Sequence, residues 1–491
     1  MASYSKDDPG SDAGNKSLNH YADKLPPFRF KLRQALLPLI REETIYLAAF
    51  QRKCRCTFLD IYFAMTANLG THTFFVIMLP IQFWFGKSDI GRDLIFVLAF
   101  GVYLSGALKD GLCLPRPLSP PLHRITMSGS AALEYGFPST HTTNAISVAL
   151  VFLQRLFEVK SQYSFASFIL YQSLIYLYVL SIMIGRIYCG MHGFLDVGVG
   201  FILGVVIWYF RYLTGAIYDS FVTSGSYYAF ISIPIVLVLV KIHPEPADNC
   251  PCYDDAVAFM GVVMGADIGS LFSARSSLST NCMIPLPGTI AYDFDQIGLT
   301  KSILRIVVGI VFIFVWRAIM KPTMHGMLPP FFRGLEKIGL LMPRKYFTPA
   351  SEYGDIPNNL PDSTLVEPRE IPNIINKIGK HARRDSVGPQ STADVYESIG
   401  YREYAKERDS RKNSLSNGPN TRKAFTFATD DYNTNESEKP SLSQEKNNIQ
   451  TPRVRYDVEV ITKLIVYTGI AWIAIYACGP IFYYTGLGVY H

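Results

Sequence analysis

Hydrophobic segments recur along this chain at lengths suited to crossing a lipid bilayer, and they constrain its fold more than any other feature. A membrane-spanning α-helix needs about 20 largely apolar residues. Segments near this length lie at residues 58–85, 94–112, 143–157, 165–187, 195–213, 226–242, 256–273, 302–320 and 458–485. Charged residues make up only 18% of the 491 residues, against about 25% in soluble domains. The pattern predicts an all-α polytopic membrane protein, a helical bundle with eight or nine transmembrane helices.

Polar stretches divide these hydrophobic segments into regions. The first 24 residues are rich in Ser, Asp, Asn and Lys, which predicts disorder, and residues 25–57 mix apolar and basic residues as an interfacial amphipathic helix does. Residues 321–347 indicate a second amphipathic segment, and a long polar tract after them predicts a disordered insertion. The predicted regions are a polar N-terminal region, a transmembrane core, additional transmembrane helices with an amphipathic segment, the insertion and a last transmembrane helix: residues 1–57, 58–213, 214–347, 348–455 and 456–491.

Charge and cysteine content exclude several classes of protein. The net charge of +6 is mild, and no basic stripe of the kind that marks a nucleic-acid binder occurs, so the predicted partner is the lipid bilayer and its anionic surface. The eight Cys form no C-x-x-C pair and no Cys/His zinc spacing. Cys54 and Cys56 are candidate palmitoylation sites, and Cys250-Pro251-Cys252 is interpreted as a structural turn.

Two short motifs in the predicted insertion match the preference of basophilic protein kinases. Ser386 follows an Arg-Arg-Asp sequence, and Ser414 follows an Arg-Lys-Asn sequence. Phosphorylation would add negative charge to a segment that is otherwise mixed in sign. Such motifs also arise by chance, so a protein kinase acting on Ser386 or Ser414 is kept as a candidate partner.

Ionisable residues concentrate at three places along the hydrophobic series, and such residues at membrane depth are candidates for function. The first place closes the second segment and contains Lys109, Pro115, Arg116 and Pro117. The prolines favour an extended chain, so Lys109 and Arg116 are able to converge. Two adjacent cations are costly unless an anion lies between them. The alternative is that both side chains snorkel to the membrane interface.

The second place precedes the third hydrophobic segment and reads Pro138-Ser139-Thr140-His141. Ser139 or Thr140 is suited to capping the following helix, whose free N–H groups form an anion site. His141 then lies in the same positive field. The alternative is a capping Ser beside an incidental His.

The third place joins the fourth and fifth segments and contains Arg186, His192 and Asp196. His192 and Asp196 are four residues apart, so on a helix they share one face. A carboxylate bonded to one ring nitrogen fixes the His tautomer and leaves the other nitrogen as a nucleophile or base. The alternative is a structural His–Asp pair at a helix start.

Counting spans places all three clusters on one side of the membrane. The first two follow two spans, and two further spans precede the third. The cations match phosphate oxygens, while one His is suited to nucleophilic attack and the other to protonating a leaving group. Because no acidic cluster suited to Mg²⁺ occurs, a mechanism without metal or cofactor is predicted.

These clusters resemble the signature of the type 2 phosphatidic acid phosphatase superfamily, a group of membrane histidine phosphatases. Its motifs are K-x6-R-P, P-S-G-H and S-R-x5-H-x3-D. The matching residues here are Lys109, Arg116, Pro117, Pro138, Ser139, His141, Arg186, His192 and Asp196. Thr140 and Gly185 stand where the motifs have Gly and Ser. The resemblance implies that residues 58–213 form a catalytic transmembrane core.

The resemblance also implies a role for each matching side chain. His192 would be the nucleophile that forms a phosphohistidine, Asp196 would orient it, and His141 would protonate the leaving alkoxide. The residues implied to bind phosphate are Lys109, Arg116, Ser139, Thr140 and Arg186. Because a β-branched residue disfavours the positive-φ turn that Gly permits, Thr140 is expected to change the local shape of the phosphate loop.

Finer details are most similar to the sphingoid-base phosphate phosphatase branch in its fungal-like form. They are the sequence Leu-Pro-Arg-Pro followed by Ser-Pro-Pro, the P-S-T-H second motif, and Gly-Met-His in the third. This branch implies a phosphorylated sphingoid base as substrate, the endoplasmic reticulum membrane as location, and more than six spans. Two alternatives stay open. One is a phosphatidate or polyprenyl pyrophosphate phosphatase with the same catalytic set, and the other is a non-catalytic transporter or scaffold.

Two arguments assign the motifs to opposite sides of the membrane. The N-terminal region places a cluster of Lys and Arg on their side, so the positive-inside rule predicts a cytosolic site, whereas the resemblance implies a lumenal one. Glycosylation sequons at Asn15 and Asn435 offer a test.

Overall fold

The fold is almost entirely helical, as the sequence predicts. The computed structural model describes residues 13–119, 121–125, 133–276, 289–339, 344–357 and 454–489. Its α-helices are α1 (Leu18–Lys24), α2 (Pro27–Cys54), α3 (Thr57–Thr66), α4 (His72–Trp84), α5 (Ser88–Leu112), α6 (Thr140–Glu158), α7 (Phe165–Tyr188), α8 (Phe194–Thr223), α9 (Ser232–Ile242), α10 (Cys252–Arg275), α11 (Phe294–Lys337), α12 (Val458–Trp472) and α13 (Cys478–Tyr484). Among these described residues, β-structure is limited to two parallel two-residue strands, β1 (Phe347–Thr348) and β2 (Arg455–Tyr456).

Helix α5 lies at the centre of the bundle. It packs against α6 and α8 on one side and against α10 on the other, and α10 packs against α12. Three Gly of α10, four residues apart, face α12 and let the backbones approach closely. A Cβ at Gly265 would lie 2.1 Å from the carbonyl oxygen of Thr468, and one at Gly261 would lie 2.9 Å from that of Leu464. Helices α5, α6, α8, α10 and α12 therefore contribute to one continuous hydrophobic core.

The predicted count of eight or nine spans is not confirmed. Six described helices are long and apolar enough to cross a membrane, namely α5, α7, α8, α10, α11 and the combined segment Val458–Tyr484. A seventh span results if Thr57–Gly70 and Phe74–Trp84, which meet at a bend of 55°, count as one. These helices are those of a multi-pass membrane protein.

Two of the predicted spans are shorter or more polar in the structure than a spanning helix requires. Helix α6 has 19 residues and lies between α5, α7 and α8. Because neighbouring helices surround it, its Thr, Asn and Ser side chains are buried against protein, and the apolar length needed against lipid does not apply. The segment predicted at 226–242 is a short 3₁₀ turn followed by α9 of 11 residues.

Residues 13–24, the described part of the N-terminus predicted to be disordered, are more ordered than their composition predicts. Residues Leu18–Lys24 form α1, and Tyr21 is fully buried. The amphipathic helix predicted within residues 25–57 is present as α2, but it buries one stripe against the protein itself. That stripe consists of Arg33, Ile40, Thr44, Leu47, Ala48 and Gln51.

The region after the eighth predicted span also differs from expectation. Helix α11 does not end near residue 320 but continues to Lys337, through a stretch predicted to be a separate surface segment. Residues 344–357 are described and include β1, which pairs with β2 at the far end of the predicted insertion. Residues 358–453 of the predicted insertion, with Ser386, Ser414 and Asn435, lie outside the described residues.

Candidate active site

The three predicted clusters meet at one end of the bundle, where α5 ends and α6 and α8 begin. The hydroxyls of Ser105 on α5 and Thr140 on α6 are 2.8 Å apart. The backbone N–H of Ser139 donates to the carbonyl oxygen of Asp196 at 3.0 Å. Arg116 donates from Nη1 to the carbonyl oxygen of Met191 at 2.9 Å. The first and second motifs are therefore each hydrogen-bonded to the third.

His192 lies in the turn between α7 and α8 and is only 1% exposed. Its Nδ1 is 3.5 Å from Oδ2 of Asp196, an ion-pair distance longer than a well-formed hydrogen bond. The same Oδ2 accepts the N–H of Gly193 at 2.8 Å, which closes the start of α8. The turn before His192 needs Gly190, whose φ of +63° is in the left-handed region and where a Cβ would lie 2.9 Å from the carbonyl oxygen of His123.

A cation contacts the other nitrogen of His192. Nη1 of Arg116 is 3.3 Å from Nε2. Burial, followed by the positive charges of Arg116, Lys109 and Arg186, holds the pKa of His192 well below its ordinary value. The imidazole is therefore neutral at physiological pH. With Nδ1 facing a carboxylate, the neutral tautomer that suits this site carries its proton on Nδ1 and a lone pair on Nε2.

The three cations are buried, which for Lys109 and Arg116 contradicts the alternative that they snorkel to the interface. Lys109, Arg116 and Arg186 are 4%, 5% and 6% exposed. The carbonyl oxygen of Arg186 accepts the N–H groups of Met191 and His192 at 3.1 and 3.3 Å. The backbone of the Arg186 motif is thus bound to the His192 turn, while its guanidinium contributes charge.

Ser139 caps α6, as predicted for this position. Its Oγ accepts hydrogen bonds from the N–H and Oγ1 of Thr142 at 3.4 and 3.0 Å. His141 is half-buried in the first turn of α6, and a Cβ at Gly70 would lie 2.8 Å from its Cδ2. The nearby charge of His141 also lowers the pKa of His192. The second motif therefore brings both a helix N-terminus and an imidazole to the site.

Two carboxylates at the site were not predicted from the sequence. Oε2 of Glu134 lies 3.1 Å from Nη2 of Arg116 and 3.5 Å from Nζ of Lys109. Glu43 of α2 accepts the N–H of Leu195 at 2.9 Å and so caps the start of α8 beside His192. Burial raises the pKa of Glu43. Neither residue belongs to a motif with recognisable spacing, and contact across the fold is what places them here.

Arg124 does not add a fourth cation beside His192 among the contacts described. Its Nη2 donates to the carbonyl oxygen of Pro117 at 3.0 Å, and the side chain is 4% exposed. This contact ties Arg124 to the loop that carries the first motif.

One group beside the site has side chains of the type that bind metals. Ligand atoms of Asp110, Cys250 and Cys252 lie within 4.8 Å of one another, and all three residues are buried. The two sulfurs are 2.7 Å apart, whereas two thiolates on one tetrahedral zinc ion, each about 2.3 Å from the metal, are separated by well over 3 Å. The thiol spacing therefore does not fit a zinc ion, and Asp110 directly follows Lys109 in α5.

Comparison with known proteins identifies the family. Residues 91–216 match the model of the PAP2 superfamily, and this stretch contains all three motifs. A dihydrosphingosine 1-phosphate phosphatase of Schizosaccharomyces pombe is 39% identical over 334 residues, which cover 67% of this chain and 79% of the relative. This chain belongs to the PAP2 superfamily.

Further relatives refine the place of the chain within the PAP2 superfamily. A dihydrosphingosine 1-phosphate phosphatase of Saccharomyces cerevisiae is 35% identical over 314 residues, covering 64% of this chain and 75% of the relative. A sphingosine-1-phosphate phosphatase 1 of Rattus norvegicus is 28% identical and covers 53% of this chain and 59% of the relative. No solved structure matches the chain. The predicted resemblance to the sphingoid-base phosphate phosphatase branch is confirmed.

Proposed function

We propose that this multi-pass membrane protein hydrolyses sphingoid base 1-phosphates, such as those of dihydrosphingosine, phytosphingosine and sphingosine, to the free base and inorganic phosphate. The names of the relatives indicate this substrate class. The observation that carries the chemistry is a buried, neutral His192 between the carboxylate of Asp196 and the cations of the first and third motifs. A neutral nucleophile in a positive pocket suits attack on a phosphate monoester.

In the first step, Nε2 of His192 attacks phosphorus. A P–N bond forms as the P–O bond to the bridging ester oxygen breaks. That oxygen leaves as the sphingoid alkoxide, and His141 donates a proton to it. The phosphorylated imidazole then carries positive charge. Asp196, 3.5 Å from Nδ1, stabilises that charge and keeps the ring oriented.

In the second step, water attacks the phosphohistidine. His141, now unprotonated, accepts a proton from the water as the new P–O bond forms and the P–N bond breaks. Inorganic phosphate leaves, and both histidines return to their initial states. The cycle consumes one water and needs neither metal nor cofactor.

Electrostatic preorganisation supplies the largest part of the rate enhancement in this mechanism. Lys109, Arg116 and Arg186 bind the non-bridging oxygens, joined by the hydroxyl of Ser139 and the N–H of Thr140 at the start of α6. The three cations and Ser139 are buried, and the contacts of Arg116 with Met191 and of Thr140 with Ser105 form before substrate arrives, so little reorganisation accompanies the reaction.

We also propose the endoplasmic reticulum membrane as the location, on the basis of the motif details shared with the sphingoid-base branch. A protein kinase acting on Ser386 or Ser414 is a further proposal for the insertion. Oδ1 of Asn15 accepts a 2.5 Å hydrogen bond from Arg41, and glycosylation at Asn15 would place the side of the membrane that carries the three motifs in the lumen.

The test is phosphate release by the purified full-length protein in EDTA, with dihydrosphingosine 1-phosphate and phosphatidate offered separately. We expect wild type to prefer the sphingoid substrate and His192→Ala to be inactive on both. Equal hydrolysis of the two lipids would favour the broader phosphatase. No hydrolysis of either by folded wild-type protein would favour the transporter or scaffold.

A further inference from the structure

Glu134 lies among cations that the proposed function assigns to phosphate. Its Oε2 is 3.1 Å from Arg116 and 3.5 Å from Lys109, and the side chain is 28% exposed. Arg116 in turn approaches Nε2 of His192, so a single guanidinium separates the Glu134 carboxylate from the proposed nucleophile. Among the described residues, this is the carboxylate that pairs with cations of the phosphate site.

The backbone holds Glu134 firmly in this place. The hydroxyl of Tyr135, the next residue, donates to Asp248 at 3.1 Å and accepts the N–H of Asp248 at 2.8 Å. The N–H of Gly136 donates to the carbonyl oxygen of Leu114 at 2.9 Å. A Cβ on Gly136 would lie 2.8 Å from Cα of Arg116, so only Gly permits this approach. The segment that carries Glu134 is therefore fixed to the loop that carries Arg116.

A fixed carboxylate is unfavourable for a site that only binds phosphate. Two like charges in a partly buried site repel each other, so Glu134 weakens binding of any phosphate dianion to Arg116 and Lys109. A substrate that carries its own cation near the phosphate would remove this penalty. A group that repels one ligand and attracts another is a common basis of specificity.

Sphingoid base 1-phosphates carry such a cation, because their amino group is on the carbon next to the one that bears the phosphate ester. Phosphatidate has no cation, and N-acylated sphingoid phosphates have a neutral amide instead. We propose that Glu134 forms an ammonium-binding subsite that pairs with the amino group of the substrate while Arg116 and Lys109 bind its phosphate. This inference rests on the proposed function and extends it to the chemical feature by which the enzyme selects its substrate.

The first test uses wild-type enzyme and two analogues of similar size. N,N-dimethyl dihydrosphingosine 1-phosphate keeps a positive nitrogen, whereas N-acetyl dihydrosphingosine 1-phosphate does not. We expect kcat/KM for the N-acetyl analogue to be lower by about tenfold or more, the value of one charge-assisted hydrogen bond. Equal kcat/KM for the two analogues would overturn the subsite.

The second test compares Glu134→Gln, Glu134→Asp and the control Glu158→Gln, an exposed Glu at the far end of α6. We expect Glu134→Gln to lower kcat/KM for dihydrosphingosine 1-phosphate about tenfold or more and to leave unchanged or raise that for the N-acetyl analogue. Glu134→Asp should retain part of the preference, and Glu158→Gln all of it. These opposite responses distinguish recognition of the amine from a general structural role.

The outcomes separate this inference from the proposed function. If Glu134→Gln lowers kcat/KM by the same factor for both lipids, Glu134 acts only as a structural counter-ion, and the inference fails while the phosphatase function stands. If folded wild type hydrolyses neither lipid, the proposed function fails and the inference fails with it. If Glu134→Gln does not fold, the wild-type comparison of the two analogues decides.

Discussion

Helices α5, α6 and α8 carry charged side chains at both ends of the bundle, but the two ends balance these charges differently. At the end remote from His192, Arg211 contacts Asp93 and Asp219 at 2.8 and 2.7 Å, and Arg155 contacts Asp93 at 2.7 Å. Arg92 and Asp89 complete this remote cluster, which pairs three Arg with three Asp. At the proposed catalytic end, three buried cations have one described carboxylate partner, Glu134.

The difference indicates what each end is for. A buried ion pair with satisfied partners fixes geometry and contributes little net stability, whereas a buried unpaired charge costs free energy. The remote cluster holds its three helices in register and leaves no charge for a ligand. The proposed catalytic end has more buried cations than described carboxylate partners, and a phosphate dianion would balance the difference. The comparison therefore predicts that substitutions at the proposed catalytic end lower activity without lowering stability. Substitutions in the remote cluster should lower stability without lowering activity.

The largest expected effect concerns the two histidines. His192→Ala should lower kcat by at least about 10⁴-fold because the covalent nucleophile is removed. His141→Ala should be severely slow in both steps, because His141 protonates the leaving alkoxide and then activates water, and the phosphoenzyme that does form should persist because its hydrolysis lacks a base. Acid-sensitive labelling of protein by ³²P-substrate measures this. His325→Ala in α11, also a buried His, is the control. Near-normal turnover in His192→Ala would contradict the mechanism.

Lys109→Met should lower kcat/KM about 10²-fold, as removal of one oxyanion-stabilising group does, with little change in thermal unfolding. Burial and the cations, Lys109 among them, hold the pKa of His192 below its ordinary value of 6.5. Removing one cation raises this pKa, so the acid limb of the kcat/KM profile should shift to higher pH. A profile that loses amplitude without this shift would show that Lys109 does not act on His192.

The same pKa determines how acid affects stability at this end. A His with a depressed pKa stays neutral in the folded state, while in the unfolded chain it binds a proton below its ordinary pKa. Its contribution to stability is therefore present above pH 6.5 and is lost as the pH falls below that value.

Arg211→Met tests the remote end and should act mainly on stability. It leaves Asp93 and Asp219 without this partner, and we expect a loss of about 3 kcal/mol, at the low end for a broken buried pair because these carboxylates are 15% and 21% exposed. The variant should keep kcat/KM within about threefold per folded molecule, a change below 1 kcal/mol. Thermal unfolding in detergent and activity measure the two effects. Arg155→Met, whose side chain is 29% exposed, should cost less stability. If Arg211→Met changed the free energy of activation from kcat/KM by more than the free energy of unfolding, the proposed distinction between the two ends would be wrong.

The sequence predicted the motif residues of the site because their spacing is local. His192 and Asp196 are four residues apart, and Lys109 and Arg116 flank one helix end, so short-range geometry suffices to bring the members of each pair together. Glu134 and Glu43 could not be predicted in this way. Each reaches the site through packing across the fold, Glu134 through Gly136 against Arg116, and Glu43 through α2 against α8.

Span count and order at the N-terminus were harder to predict for a related reason. Hydropathy measures what a helix needs against lipid, but α6 is surrounded by protein and tolerates Thr, Asn and Ser. Likewise, the polar N-terminal residues predicted disorder, yet Asp248 accepts hydrogen bonds from the N–H of Gly14 and the hydroxyl of Tyr21 at 3.0 and 2.8 Å. A local sequence pattern cannot predict contacts with partners that lie more than 200 residues away along the chain.

The smallest expected effect is that of deleting residues 360–445. The ends of the insertion already meet, because Phe347 pairs with Arg455 and Thr348 with Tyr456 in a parallel ladder, whose strands are about 4.8 Å apart. The deletion therefore shortens a connection without separating α11 from α12. We expect kcat/KM within about twofold of wild type, since no proposed site residue lies there and a twofold change is well below 1 kcal/mol. A deletion variant that shows a normal thermal unfolding transition but is inactive would show that the insertion contributes to catalysis. The comparison would then have to include a third region.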